Sequence, residues 1–312
     1  MFSAPNLKGA ILGALTSLLF LAQPMAQESF ARDPLALVQR VVDPAPIADL
    51  AAYQGKDADL SDLRAQIEKA LIKANSIGLI EAKRSNAMIA VEFAHEMGVS
   101  RFSDYYFHLS AEPNWKVVAS GRPPMPPWGP ERQRLGDGSE EELRTWLMSQ
   151  GASAEQIAEG LELRKTAPLY GPDREVMAFF EQNRARLNEL RDKAMPLLKG
   201  AVETKDLIGK KPEATDRLAG ATPDEVDRIA TLLKETSAFW MGNALFDQQY
   251  AEEVSRKHPD WRYFHVAMWS FPGGALGFFW KSGNAELPSL SPNGYLIIRS
   301  LSGGWYLYRT AA

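Results

Sequence analysis

Residues 261–310 read WRYFHVAMWSFPGGALGFFWKSGNAELPSLSPNGYLIIRSLSGGWYLYRT, and the period of this stretch decides the fold class. Four short runs, 261–270, 275–282, 294–300 and 304–310, are rich in aromatic and β-branched residues. Pro272-Gly273-Gly274, Gly283-Asn284, Pro292-Asn293-Gly294 and Ser302-Gly303-Gly304 separate them, the punctuation expected between antiparallel strands. Gly303-Gly304 supplies the positive φ that a tight hairpin between the last two runs requires.

Alternation along these runs suggests a use for them. Phe264, Val266 and Met268 fall on one face of the first run, and Tyr263, His265, Ala267 and Trp269 on the other. In the last run, Tyr306 and Tyr308 oppose Trp305, Leu307 and Arg309 in the same way. If helices cover one face of the sheet, the other presents Trp, Tyr, His and Arg, a surface suited to stacking on sugars or clasping a peptide. The expected contact residues are Tyr263, His265, Trp269, Trp280, Trp305, Tyr308 and Arg309. Aromatic residues also dominate protein cores, so the competing expectation is a sheet covered on both faces.

Upstream the patterning reads as helical. Leu35, Val38 and Val42 recur at three and four residues before Pro44 and Pro46 interrupt. Leu60, Leu63, Ile67, Leu71 and Ala74 make a second stripe after Asp59, and Met88, Val91 and His95 resume it until Gly98, with Gly78 between. Ser139 with Glu142, and Ser153 with Gln156, are capping boxes that predict a helical hairpin turning at Gly151. A longer helix follows from near Pro172, carrying Val176, Phe180, Asn183, Leu187, Leu190, Ala194 and Leu197 on one seam. Thr222-Pro223-Asp224-Glu225 starts another, and a further helix is expected over 243–257, stopped by His258-Pro259.

The expected fold is therefore α+β, a helical N-terminal part followed by a small C-terminal four-stranded antiparallel sheet packed on helices. The domains expected are a helical one over 27–199, a linker over 200–221 poor in apolar residues, and an α+β domain over 222–312 with two helices and a four-stranded meander. Within the first, Arg122-Pro-Pro-Met-Pro-Pro-Trp-Gly-Pro130 reads as an extended connector, or as a P-x-x-P ligand.

The N-terminal 26 residues lead to the expectation of an exported protein. Lys8 precedes the apolar stretch 9–22, which is too short for a bilayer span, and Gln23-Pro24-Met25-Ala26 follows it, so a secretory signal cut after Ala26 is expected. The alternative is an uncleaved anchor. No later segment is apolar enough to span a membrane. Cysteine is absent, which removes disulfides, thiolate metal sites and cysteine nucleophiles, and with the simple leader favours a periplasmic or secreted protein. The net charge is −4 and the basic residues lie scattered among acids, so nucleic acid is not an expected partner.

Motifs for catalysis are missing. His95-Glu96 lacks the second histidine of a zinc-protease helix, and neither a serine elbow nor a phosphate loop is present. His95, Glu96, Asp104 and His108 form a nitrogen–oxygen ligand set only if the chain turns near Gly98; a helix-end His95 and a half-buried His108 need no ligand. No catalytic residue, metal or cofactor is expected. Arg101, Asp104-Tyr105 and Leu109-Ser110-Ala111 resemble the arginine, aspartate–tyrosine and leucine–serine–alanine signature of lipase-specific periplasmic foldases. One residue is inserted, the phenylalanine before the aspartate is lacking, and the terminal strands do not suit an all-helical foldase. The likeness covers eleven residues, is attributed to chance, and leads to no family.

The functional expectation is an exported, non-catalytic binding or scaffold protein that contacts a cell-envelope protein or glycan through its aromatic sheet. One alternative is a periplasmic hydrolase of envelope glycan with a carboxylate pair at the domain junction. Another is a helical assembly subunit joined along the 176–197 seam, the oligomeric state being open.

Overall fold

The computed structural model describes residues 33–56, 58–82, 85–95, 102–111, 114–127, 129, 132, 135–243, 262–283, 285–288, 290 and 295–311. The leader expected at 1–26, and all but Asn243 of the helix expected over 243–257, lie outside them. Among the described residues the chain is α+β, with two antiparallel sheets of four and six strands. It divides into two compact units, Met1–Val91 with Tyr106–Gly121, and Glu92–Tyr105 with Arg122–Ala312.

In the first unit, α1 (Pro34–Val42) starts where the Asp33 carboxylate accepts the Leu35 N–H, with Pro34 harmless in the first turn. α2 (Ser61–Glu68) stops where Ala70 adopts a φ of 55°. The buried Arg64 guanidinium reaches from α2 to the carbonyls of Val41, Asp43 and Ala45 and so fixes the chain leaving α1. Four strands follow: β1 (Ile72–Ala82), β2 (Asn86–His95), β3 (Phe102–Ala111) and β4 (Trp115–Gly121), side by side in sequence order. The tips of β2 and β3, Glu92–Tyr105, group with the second unit. Along the outer edge of β4, Gly55 N–H donates to the Val117 carbonyl and Val117 N–H donates to that of Tyr53, so a short parallel bridge closes that edge.

This sheet overturns the expectation of a helical N-terminal part. Met88, Val91 and His95 do recur at helical spacing, but Ala87, Met88, Ile89, Ala90, Val91 and Phe93 are all buried. A strand covered on both faces is a continuous apolar run, and a helical period can be picked out of such a run as readily as any other. Gly78 neither breaks nor occupies a helix; it lies within β1.

In the second unit, the two capping boxes open α3 (Glu140–Ser149) and α4 (Ala154–Lys165), each with both reciprocal hydrogen bonds formed. The pair packs closely because Gly160 has no Cβ, which would otherwise sit 2.8 Å from the Leu147 side chain. A 3-10 turn (Ala167–Tyr170) leads into α5 (Asp173–Ala194), whose Val176, Phe180, Leu187, Leu190 and Ala194 are buried. The stretch 200–221 contributes β5 (Val202–Glu203) and the short helices α6 (Thr204–Ile208) and α7 (Pro212–Thr215). α8 (Pro223–Glu235) opens with the Thr222/Glu225 capping box and is tied to α5 by two Arg228–Glu189 hydrogen bonds of 2.8 and 2.7 Å.

β6 (Trp240–Gly242), β7 (Tyr263–Phe271), β8 (Gly274–Lys281), β9 (Tyr295–Ser300) and β10 (Trp305–Ala311) complete a sheet of order β5-β6-β7-β8-β10-β9. The four terminal strands are present, but not as the four-stranded meander expected. β10 lies between β8 and β9, and β5 and β6 extend the other edge. Residue 303 does turn the last hairpin with a positive φ of 69°. Of the proline-rich connector, 122–126 has no regular structure; Pro126 is buried and Pro124 lies against Gly274. It is a packed segment of this unit.

Candidate functional site

The seven residues expected on an open sheet face divide between two covered faces. Strand alternation already sets Tyr308 opposite Trp305 and Arg309, and a bulge moves Trp269. Ala267 pairs with Gly277 and Trp269 with Leu276, leaving Met268 without a partner across the strand, so Trp269 moves to the face of Phe264 and Val266. On that face, Trp269 Nε1 donates to the Leu169 carbonyl and its ring stacks on Tyr170. Trp305 Nε1 donates to Asn188 Oδ1 on α5, and Arg191 of α5 lies 4.8 Å over the Trp280 ring. Arg309 points to the same helix. On the opposite face, Tyr263 and Tyr308 join Ala275, Phe279, Ala285 and Ile298 in a second apolar cluster, with His265 stacked 5.3 Å from Phe279. Tyr263, His265, Trp269, Trp305, Tyr308 and Arg309 are between 0 and 6% exposed, and Trp280 is half-buried. Six of the seven are core and offer no open surface to a ligand; Trp280 keeps part of its surface.

Among the described residues, a buried ionic group gathers at the start of α5. Pro172, the residue before the helix, offers it no side-chain cap. Asp104 Oδ2 instead accepts the Asp173 N–H at 2.6 Å, a cap supplied from 69 residues away. The Asp173 carboxylate accepts from Arg309 Nε and from Arg299 Nη1, both at 3.0 Å, and Arg309 Nη2 also donates to the Gly171 carbonyl. Burial pushes the Asp104 carboxyl well above the usual carboxylate range, and the adjacent Asp173 adds to the shift against the pull of Arg309. Beside this group, Arg174 Nε donates to the buried Glu92 at 2.8 Å.

Sequence reasoning named Asp104 only as a member of a metal-ligand set and missed Asp173 and Glu92. They are separated by long stretches of chain, so no short motif joins them. One signal was legible: Arg309 shares an apolar strand face with Trp305 and Leu307, and a charge in that position needs a buried counter-charge. Chemically the group is a clamp. Asp173 is 1% exposed and Asp104 6%, and their oxygens are committed to the helix end and the arginines.

The histidines separate likewise. His95 lies in β2, not at a helix end, and its Nε2 is 2.7 Å from Ser103 Oγ. Burial, with Arg122 nearby, lowers its pKa, and burial alone lowers that of His108. No group of side chains among the described residues is suited to a metal ion.

What the second unit does leave open is a hollow of about 900 Å³ against α3, α4 and the turn after them. Glu140, Glu155, Glu159 and Glu162 line it, with Arg164, Lys165 and Gln182. The two cations are already engaged: Arg164 donates to the carbonyls of Leu135, Asp137 and Gly138, and Lys165 Nζ is 2.6 Å from Glu162. Glu140 and Glu162 are paired in turn, with Arg144 and Lys165, so the excess negative charge of the lining rests on Glu155 and Glu159. α3 also exposes Trp146 at 55% and Met148 at 61%. Among the described residues, no helix is long and apolar enough to cross a membrane. Comparison with protein-family models, curated proteins and solved structures finds no match to the chain.

Proposed function

We propose that this is an exported, non-catalytic binding or scaffold protein, and that the hollow along α3 and α4 receives a basic segment of a cell-envelope protein. The observation that carries the reading is an open hollow lined by four glutamates against one arginine and one lysine, with Glu155 and Glu159 outside the Glu140–Arg144 and Glu162–Lys165 pairs. Such a concavity attracts cations by its summed field before any specific contact forms. The apolar stretch 9–22 behind Lys8 supports export. Asp104 and Asp173 are the acids a hydrolase reading would use, and the raised pKa of Asp104 is in its favour. Their enclosure and their arginine partners favour the clamp instead.

Calorimetric titration with an eight-residue oligolysine tests the reading. Binding that weakens with salt and drops at least about tenfold in the E155Q/E159Q variant is expected. Equal binding by the variant, or a preference for an acidic peptide or a neutral glycan fragment, refutes the assignment. Cell fractionation tests export separately, and recovery of the intact chain from the cytoplasm contradicts it.

A further inference from the structure

The α3–α4 hairpin ends in a tip whose chemistry differs from that of its shanks. Residues 145–154, Thr-Trp-Leu-Met-Ser-Gln-Gly-Ala-Ser-Ala, carry no charge, whereas Glu140, Glu141, Glu142 and Arg144 precede them and Glu155 and Glu159 follow. All but Leu147 and Ala152 are exposed, and Trp146 is the one exposed tryptophan among the described residues. None of the ten lines the hollow.

The tip also closes its own hydrogen bonds. Where α3 ends, the Trp146, Leu147 and Met148 carbonyls accept from the N–H groups of Gln150, Ala152 and Gly151, at 3.1, 3.1 and 3.0 Å. Where α4 begins, Ser153 N–H donates to Gln156 Oε1, and Gln156 N–H donates to Ser153 Oγ. Of the three capping boxes among the described residues, this one alone uses an uncharged glutamine; the others use Glu142 and Glu225. A segment that leaves water for a less polar medium needs its backbone groups satisfied internally and charges kept out of it, and this tip meets both conditions.

The placement of the two apolar side chains selects the medium. Trp146 and Met148 are two residues apart in α3, so they project about 200° from one another around the helix. A flat protein surface covers one of them and leaves the other, whereas a medium that surrounds the tip takes both. Tryptophan favours the boundary between lipid headgroups and acyl chains, where its ring is buried and its N–H stays wet. The glutamates of the shanks repel anionic lipid.

We propose that residues 145–154 form a membrane-contact tip, which seats Trp146 and Met148 in the interface of a bilayer of zwitterionic lipid. The contact is shallow and leaves the glutamates in water. It is weaker than the association of about 10⁴ M⁻¹ that a single myristoyl chain provides.

The full chain also carries the apolar stretch 9–22, which is able to bind lipid by itself, so the readout must be local. Because the chain has no cysteine, Q150C at the tip and K234C on α8 each take one environment-sensitive nitrobenzoxadiazole label. With phosphatidylcholine vesicles, the label at 150 shifts to the blue and brightens about twofold or more, and the label at 234 does not change. Adding W146S and M148S to Q150C removes most of that response, while the melting temperature holds because both side chains are exposed. Vesicles that include phosphatidylglycerol give a weaker response at low salt. No response at 150 up to roughly 5 mM lipid overturns the proposal and makes a protein the occupant of the tip. So does an equal response from the W146S/M148S variant, an equal change at 234, or a stronger response to the anionic vesicles.

Discussion

Two buried ionisable side chains give the second unit opposite responses to pH. Burial holds the His265 imidazole down to about 3, against an ordinary value of 6.5. The unfolded chain therefore binds a proton between those values that the folded chain does not. The stability associated with a neutral His265 is complete above pH 6.5 and is lost as pH falls toward 3. Replacing His265 by Phe removes this dependence, and denaturant melts from pH 4 to 7 should show a flatter acid limb. Asp104 has the reverse sign: its folded pKa is raised, so its contribution is present in acid and declines as pH rises above the ordinary carboxylate value. D104N keeps an oxygen for the Asp173 N–H and carries no charge, so its melting temperature should vary less than that of the wild type between pH 5 and 9. Asp173→Ala is harsher. It leaves Arg299 and the buried Arg309 without their shared carboxylate, and a loss of roughly 3–5 kcal/mol is expected in urea titrations.

Helix starts and strand runs show which local rules carried through. Removing the Ser153 or Thr222 hydroxyl by alanine should cost about 1 kcal/mol each, because either one accepts the N–H three residues ahead in a complete capping box. Those boxes, the α5 seam and the four terminal strand runs were readable because each depends on neighbours within a few residues. Of the strands from Ile72 to Gly121, β2 was not, since burial on both faces erased the alternation that identifies a strand. The aromatic site failed at a single residue for Trp269: a strict period of two carries it onto the face of Tyr263 and His265, and the bulge at Met268 places it on the other. No local pattern announces such an insertion. The clamp at α5 was hidden for another reason, as Arg309 meets Asp173 across 136 residues.

Across the second unit, stability should concentrate where the large sheet meets α5. Trp305 is fully enclosed there between Phe180 and Phe264 and hydrogen-bonded to Asn188, so Trp305→Ala should cost roughly 3–5 kcal/mol. Half-buried Trp280 should cost clearly less, and thermal melts of the two variants rank the positions. The strand order of that sheet has a further consequence, for synthesis. Among the described strands β9 pairs with β10 alone, yet the ribosome completes β9 first. Until the segment ending at Ala311 has emerged, the nascent polypeptide holds an edge with no neighbour and a helix whose arginine anchor at 309 is still missing. Closure of this half of the molecule therefore waits for residues 305–311, and a chaperone that shields aromatic segments would have its longest residence on 263–300.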